Sequence, residues 1–245
     1  MGLITYETLR SFAYVNDHIV SPPIRGIVLS FFGLNGRDMY TEDRSDAVYY
    51  AERGILYVVP YNNPWAWMNR QAVDYTDEIL DVLFAQYGLP EGLPTVSTGG
   101  SMGGMSALVY ARYAKRTPAA CIANCPVCDM PYHYTERPDL PRTIYSAFFH
   151  EIREAGDLQR VLEKVSPLHL APEMPEIPYY LFHCDADKAV NKERHSDRFV
   201  LAMQAVGRSV TYHVVHGTGH CDIGDEMKLR FKEYAIKEIC KEKKA

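Results

Sequence analysis

No run of apolar residues in this chain of 245 approaches the roughly 20 that a membrane-crossing helix needs. Residues 1–17 also lack the apolar core of roughly 7–15 residues found in a secretion signal, so the expected compartment is the cytoplasm. Neither sign of charge dominates. With 26 Lys and Arg against 31 Asp and Glu the net charge is −5, which argues against a nucleic-acid partner. The one basic cluster, Lys237, Lys241, Lys243 and Lys244, is interleaved with Glu238 and Glu242 and reads as a solvated, frayed helix end. Cysteine is sparse, at six, and in an unexported chain these read as reduced thiols. Paired metal-ligand spacing is absent: Cys125-x-x-Cys128 has no second ligand pair, and no His-Glu-x-x-His occurs. No glycine-rich phosphate loop follows a first strand, so neither a metal nor a nucleotide cofactor is expected. Without an internal repeat or a linker, residues 1–245 read as one domain.

What is present is an alternation of two patterns. Residues 24–32 (IRGIVLSFF), 54–60 (GILYVVP), 93–98, 119–123, 178–184 (PYYLFHC) and 209–215 are short, apolar and partly β-branched, as in parallel strands covered on both faces. Residues 11–15 fit an antiparallel edge. Helical spacing marks 41–53, 72–87, 106–115, 191–206 and 223–240, so the expected fold is α/β, a doubly wound and mostly parallel sheet. Residues 126–172 interrupt the alternation with prolines and aromatics. They predict two or three short helices, either a cap over the crevice at the strand ends or an extra structural layer.

The chemistry centres on Gly99-Gly100-Ser101-Met102-Gly103, a Gly-x-Ser-x-Gly pentapeptide between a strand pattern and a helix pattern. A serine at such a turn sits in strained backbone with its hydroxyl above the sheet edge, and the flanking glycines avoid collisions as the chain reverses. That hydroxyl needs a base, usually histidine, oriented by a buried carboxylate. In this strand–helix order the acid and then the histidine follow the serine, each in a loop after a strand. The strand at 178–184 is followed by Asp185 and Asp187, and the strand at 209–215 by His216 and His220.

With these motifs the chain resembles the α/β-hydrolase superfamily, nearest its prolyl-oligopeptidase-like and acetyl-xylan-esterase-like branches. Their His-Gly-x-x-Asp-x-x-Val stretch is matched by His183 to Val190, with Cys184 in the glycine slot. The resemblance implies Asp187 as the acid, leaving Asp185 to cap the turn, and His220 as the base in the Gly-His position before the final helix. It also implies an oxyanion hole of backbone N–H groups from Met102 and Leu34, with Phe32 where relatives have histidine. Each such donor is worth roughly 3 kcal/mol.

The aromatic segment 61–69 holds both tryptophans. Trp65 and Trp67, with Tyr132 and Tyr134 of the insert, are either walls of a substrate pocket or packing over the sheet edge. The reading that follows is a serine esterase acting through an acyl-enzyme on small-molecule esters. Acylated carbohydrate is the substrate class the resemblance suggests. A peptidase is the alternative, although these residues leave no room for the β-propeller through which that branch selects peptides. A third reading is a binding protein that keeps the fold without the activity.

Overall fold

The apolar runs become the sheet. The computed structural model describes residues 4–62, 64–154 and 156–241. Its strands are β1 (Ala13–Val15), β2 (Gly26–Phe31), β3 (Ile55–Pro60), β4 (Thr95–Gly100), β5 (Ala120–Asn124), β6 (Tyr179–Cys184) and β7 (Val210–Val215). They form one sheet in the order β1-β3-β2-β4-β5-β6-β7, parallel except for β1. Alternate residues of each strand face opposite sides. Ile27, Leu29 and Phe31 of β2 therefore join one core, and Val28 joins the other.

The helices are α1 (Ser45–Ala51), α2 (Arg70–Tyr87), α3 (Met102–Tyr113), α4 (Met130–Glu136), α5 (Leu140–Phe148), α6 (Asp157–Glu163), α7 (Pro167–Leu170), α8 (Arg198–Ala205) and α9 (Gly224–Ile239). One core packs α2, α3, α8 and the insert against the sheet, and the other packs α1 and α9 on the opposite face. Among the described residues, no helix is long and apolar enough to cross a membrane.

Several boundaries differ from the sequence patterns for physical reasons. The pattern at 41–53 yields only Ser45–Ala51, because Arg44 is extended (ψ 161°) with its guanidinium over the Tyr40 ring at 3.8 Å. Helix α2 starts two residues earlier than expected, since the Asn69 side chain accepts from Ala72 N–H and caps it. Over 191–206 the helix opens with a π turn at Glu193–Asp197, where Asp197 N–H reaches Lys192 O. The described residues of 126–172 form four α-helices rather than two or three. Pro131, Pro141 and Pro167 each stand within the first two positions of one, where a missing N–H costs nothing. At the C-terminus α9 ends at Ile239 and Lys241 pairs with Glu238; Glu242, Lys243 and Lys244 lie outside the described residues.

The topology also dictates where a site can form. From β2 the chain moves outward to β3, then returns past β2 to place β4 on its other side. At this reversal the connections after β2 and β4 diverge and leave a crevice at the strands' C-terminal ends.

Candidate active site

Ser101 lies at that crevice, between β4 and α3. Its backbone is held at φ 58° and ψ −125°, a region that non-glycine residues seldom occupy, while its N–H donates to Asn124 O at 2.9 Å. The flanking glycines are required by close approach. A Cβ on Gly99 would stand 2.2 Å from Gly103 O, and one on Gly103 would stand 2.1 Å from Phe31 O. The elbow is thus wedged between its own helix and the end of β2.

The same wedge brings the loop after β2 over Ser101: a Cβ on Gly33 would be 3.9 Å from the Cβ of Ser101. The N–H of Met102, first residue of α3, has no intrahelical acceptor. Neither it nor the N–H of Leu34 has a protein acceptor among the described residues. Where a histidine would brace this loop, Phe32 packs edge-on to Tyr40 and stacked with Tyr61 at ring separations of 5.9 and 6.5 Å. At this position aromatic packing stands where a histidine's hydrogen bonds would.

The loops after β6 and β7 bring two of the predicted residues into contact. His220 Nδ1 is 2.6 Å from Asp187 Oδ2, and the Asp187 side chain is fully buried. Asp187 Oδ1 accepts the N–H groups of Ala189 and Val190 at 2.8 and 3.0 Å. His183 completes the shell: its Nδ1 pairs with Ser196 Oγ, and its Nε2 lies 3.1 Å from Val190 O and 3.4 Å from Asp187 Oδ2. Burial alone would raise the Asp187 carboxyl, but the bonds from His183, His220 and Val190 hold it well below the usual carboxylate range. Burial also disfavours the His220 imidazolium, yet Asp187, aided by the Cys125 sulfur, raises its pKa to about 9.

Asp185 plays another part, bonding the exposed His216 and capping Gly217 N–H at 2.7 Å. His213 stacks on Phe182 and bonds Tyr234 Oη.

Ser101 and His220 line one cleft of about 360 Å³, together with Gly33, Leu34, Asn35, Trp67, His133, Arg137, Leu140, Val190 and Cys221. Three residues of the insert, from α4, α5 and the turn between them, share this cleft with the serine. Of the four predicted pocket residues only Trp67 is in this cleft. It is 1% exposed and donates Nε1–H to Thr143 Oγ1 at 3.2 Å, tying the 61–69 loop to α5. Trp65 lines an adjoining hollow with Leu34 and Asp139, and bonds Asn35 Oδ1. Tyr132 packs against His195 under the Arg194 guanidinium, and Tyr134 packs on the core. The insert contributes His133, Arg137 and Leu140 instead, because helical spacing turns the tyrosines of α4 away from the cleft.

Residues 78–238 match the prolyl oligopeptidase family, a span that includes Ser101, Asp187 and His220. No curated protein matches the chain. Among solved structures, a puromycin-hydrolyzing peptidase of Mycobacterium tuberculosis is similar at a TM-score of 0.70 and 18% identity, over 89% of this chain and 34% of its own. The acylaminoacyl peptidase of Pyrococcus horikoshii is similar at 0.70 and 14% identity, over 89% and 38%. Esterase PE8 is similar at 0.56 and 19% identity, over 88% of this chain and 94% of its own. The chain thus spans little more than a third of the length of the two peptidases. At these identities the likeness speaks for the fold.

Proposed function

Because this chain belongs to the prolyl oligopeptidase family, a family of serine hydrolases, we propose that it hydrolyses small carboxylic esters through an acyl-enzyme on Ser101. The observation that carries the reading is the 2.6 Å His220–Asp187 contact in the cleft where Ser101 is held in strained backbone.

In this reading Ser101 Oγ attacks the ester carbonyl carbon as its proton passes to His220 Nε2. Asp187 holds Nδ1–H and stabilises the imidazolium. The oxyanion takes the N–H groups of Met102 and Leu34. Collapse breaks the carbon–oxygen bond, and His220 gives its proton to the departing alkoxide. Water then attacks the acyl carbon with His220 again the base, releasing the acid and restoring Ser101. An alkoxide leaving group asks less of the acid than an amine does, which favours esters.

Peptide or amide hydrolysis by the same residues is the second reading. It is supported by the family and by the peptidase activity of the puromycin hydrolase, whereas the esterase matched along nearly its whole length supports the first.

Hydrolysis of 4-nitrophenyl acetate, butyrate and octanoate, compared with aminoacyl-nitroanilides, in EDTA, tests both. Ser101→Ala is expected to lower ester turnover by roughly three to six orders of magnitude. Equal rates in both proteins would remove the assignment of Ser101. Failure of a fluorophosphonate to label the wild type would favour a binding protein.

A further inference from the structure

Cys125 and Cys128 are close in sequence, but the fold puts them on opposite faces of the sheet, Cys125 in the core under α9 and Cys128 in the core under α3. Cys125 gains other company. As the chain leaves β5 its backbone turns at φ 45°, and Cys221 on the distant β7–α9 loop turns at φ 61°. The sulfurs of these two residues and a ring nitrogen of His220 lie within 4.8 Å of one another. Cys221 Sγ stands 3.7 Å from His220 Nε2.

We propose that Cys125, His220 and Cys221 form a binding site for a thiophilic divalent cation, Zn2+ foremost, whose occupation withdraws His220 from Ser101. The consequence for activity rests on the hydrolase reading, whereas the site itself does not.

Two thiolates and an imidazole suit Zn2+. Zinc–sulfur and zinc–nitrogen bonds at a tetrahedral angle put sulfur and nitrogen about 3.6 Å apart, close to the 3.7 Å between Cys221 and His220. A ligating histidine normally donates its other ring N–H to a carboxylate, and Asp187 already occupies His220 Nδ1. Cys125 Sγ accepts the backbone N–H groups of Cys184 and Cys221 at 3.5 and 3.4 Å, contacts that fix the sulfur's position beside the other two groups. Access and a fourth position lie on the cleft that His220 and Cys221 share with Ser101. As the ion binds, both thiol protons and the Nε2 proton of charged His220 leave to solvent, and two metal–sulfur bonds and one metal–nitrogen bond form. Magnesium and calcium prefer oxygen ligands and do not suit this set. Elsewhere His133, Glu136 and His195 also converge, but His195 Nδ1 takes the N–H groups of Cys128 and Asp129 and its Nε2 pairs with Glu136.

Co2+ is the direct probe, because thiolate ligation gives it sulfur-to-metal charge-transfer absorption in the near ultraviolet. Anaerobic titration of the full chain should produce that band, bleached by Zn2+ and untouched by Mg2+ or Ca2+. The band should survive in Ser101→Ala and disappear in Cys221→Ala and Cys125→Ala, with folding checked by circular dichroism. In parallel, Zn2+ should inhibit ester hydrolysis, and EDTA should reverse it. Relative to each variant's own metal-free rate, the inhibition constant should weaken at least about tenfold on removing Cys221. Absence of the band in the wild type, or its persistence in both cysteine variants, overturns the site. A wild type that shows the band, hydrolyses neither ester nor anilide and takes no fluorophosphonate label supports the site and defeats the hydrolase reading. Ester hydrolysis lost in Ser101→Ala, with no band, does the reverse.

Discussion

His220 carries two demands that its surroundings balance. As base it must be neutral, yet Asp187 stabilises its charged form and lifts its pKa to about 9. The raised value means imidazolium predominates at pH 7, so kcat/KM in EDTA should climb by about tenfold per pH unit toward pH 9 and level above it. Asp187→Asn removes the carboxylate charge. Its kcat should drop by ~10⁴-fold, and the break in the profile should move down toward the usual histidine range. A pH–rate profile of both proteins checks this, and a break that stays near 9 in the variant would separate His220 from Asp187. At this scale much of the candidate site was legible in the sequence. Ser101, Asp187 and His220 each sit just past a strand end in a short local motif. His133 and Arg137 were not legible, because only the packing of the insert brings them above Ser101. His183 was half legible: it opens the motif that contains Asp187, but its bond to Ser196 depends on the π turn.

At the scale of elements, Glu136 fastens the first helix of the insert. Glu136 of α4 bonds His133 Nδ1 at 2.6 Å and His195 Nε2 at 3.0 Å, and its other oxygen accepts Asn191 N–H at 2.8 Å. Burial would raise this carboxyl, but the two histidines hold it well below the usual range. A depressed carboxyl contributes stability above its unfolded pKa of about 4.5 and loses it as the pH falls below that value. Glu136→Gln should therefore cost about 1–3 kcal/mol at pH 7 in urea unfolding, with the gap from wild type closing under pH 4.5. A gap independent of pH would deny Glu136 this role. The strands were readable because an apolar run covered on both faces has few alternatives. The short helices of 126–172 were harder to count, since three of the four open on a proline and α4 is held by long-range partners of Glu136 rather than by its own periodicity.

For the molecule as a whole, the two faces of the sheet have separable duties. One face carries the insert and the helix that follows Ser101, and the other is closed by α9. The closure is tightest at Gly26, where a Cβ would lie 2.5 Å from Ile239 Cγ2 and 2.8 Å from Pro94 O. Ile239 is the last residue of α9, whose 16 residues put that end about 24 Å along the axis from the end that follows the His220 loop. Gly26→Ala must push α9 outward at its far end or spread β2 from the Pro94 turn, overpacking that costs about 1–3 kcal/mol. Neither displacement reaches Ser101, Asp187 or His220. Thermal unfolding should show a lower Tm for Gly26→Ala, while kcat/KM for 4-nitrophenyl acetate, measured well below the transition, stays within about twofold of wild type, as expected for a site this distant. A loss of activity matching the loss of stability would show that α9 positions His220 along its whole length, and that the two faces act as one unit.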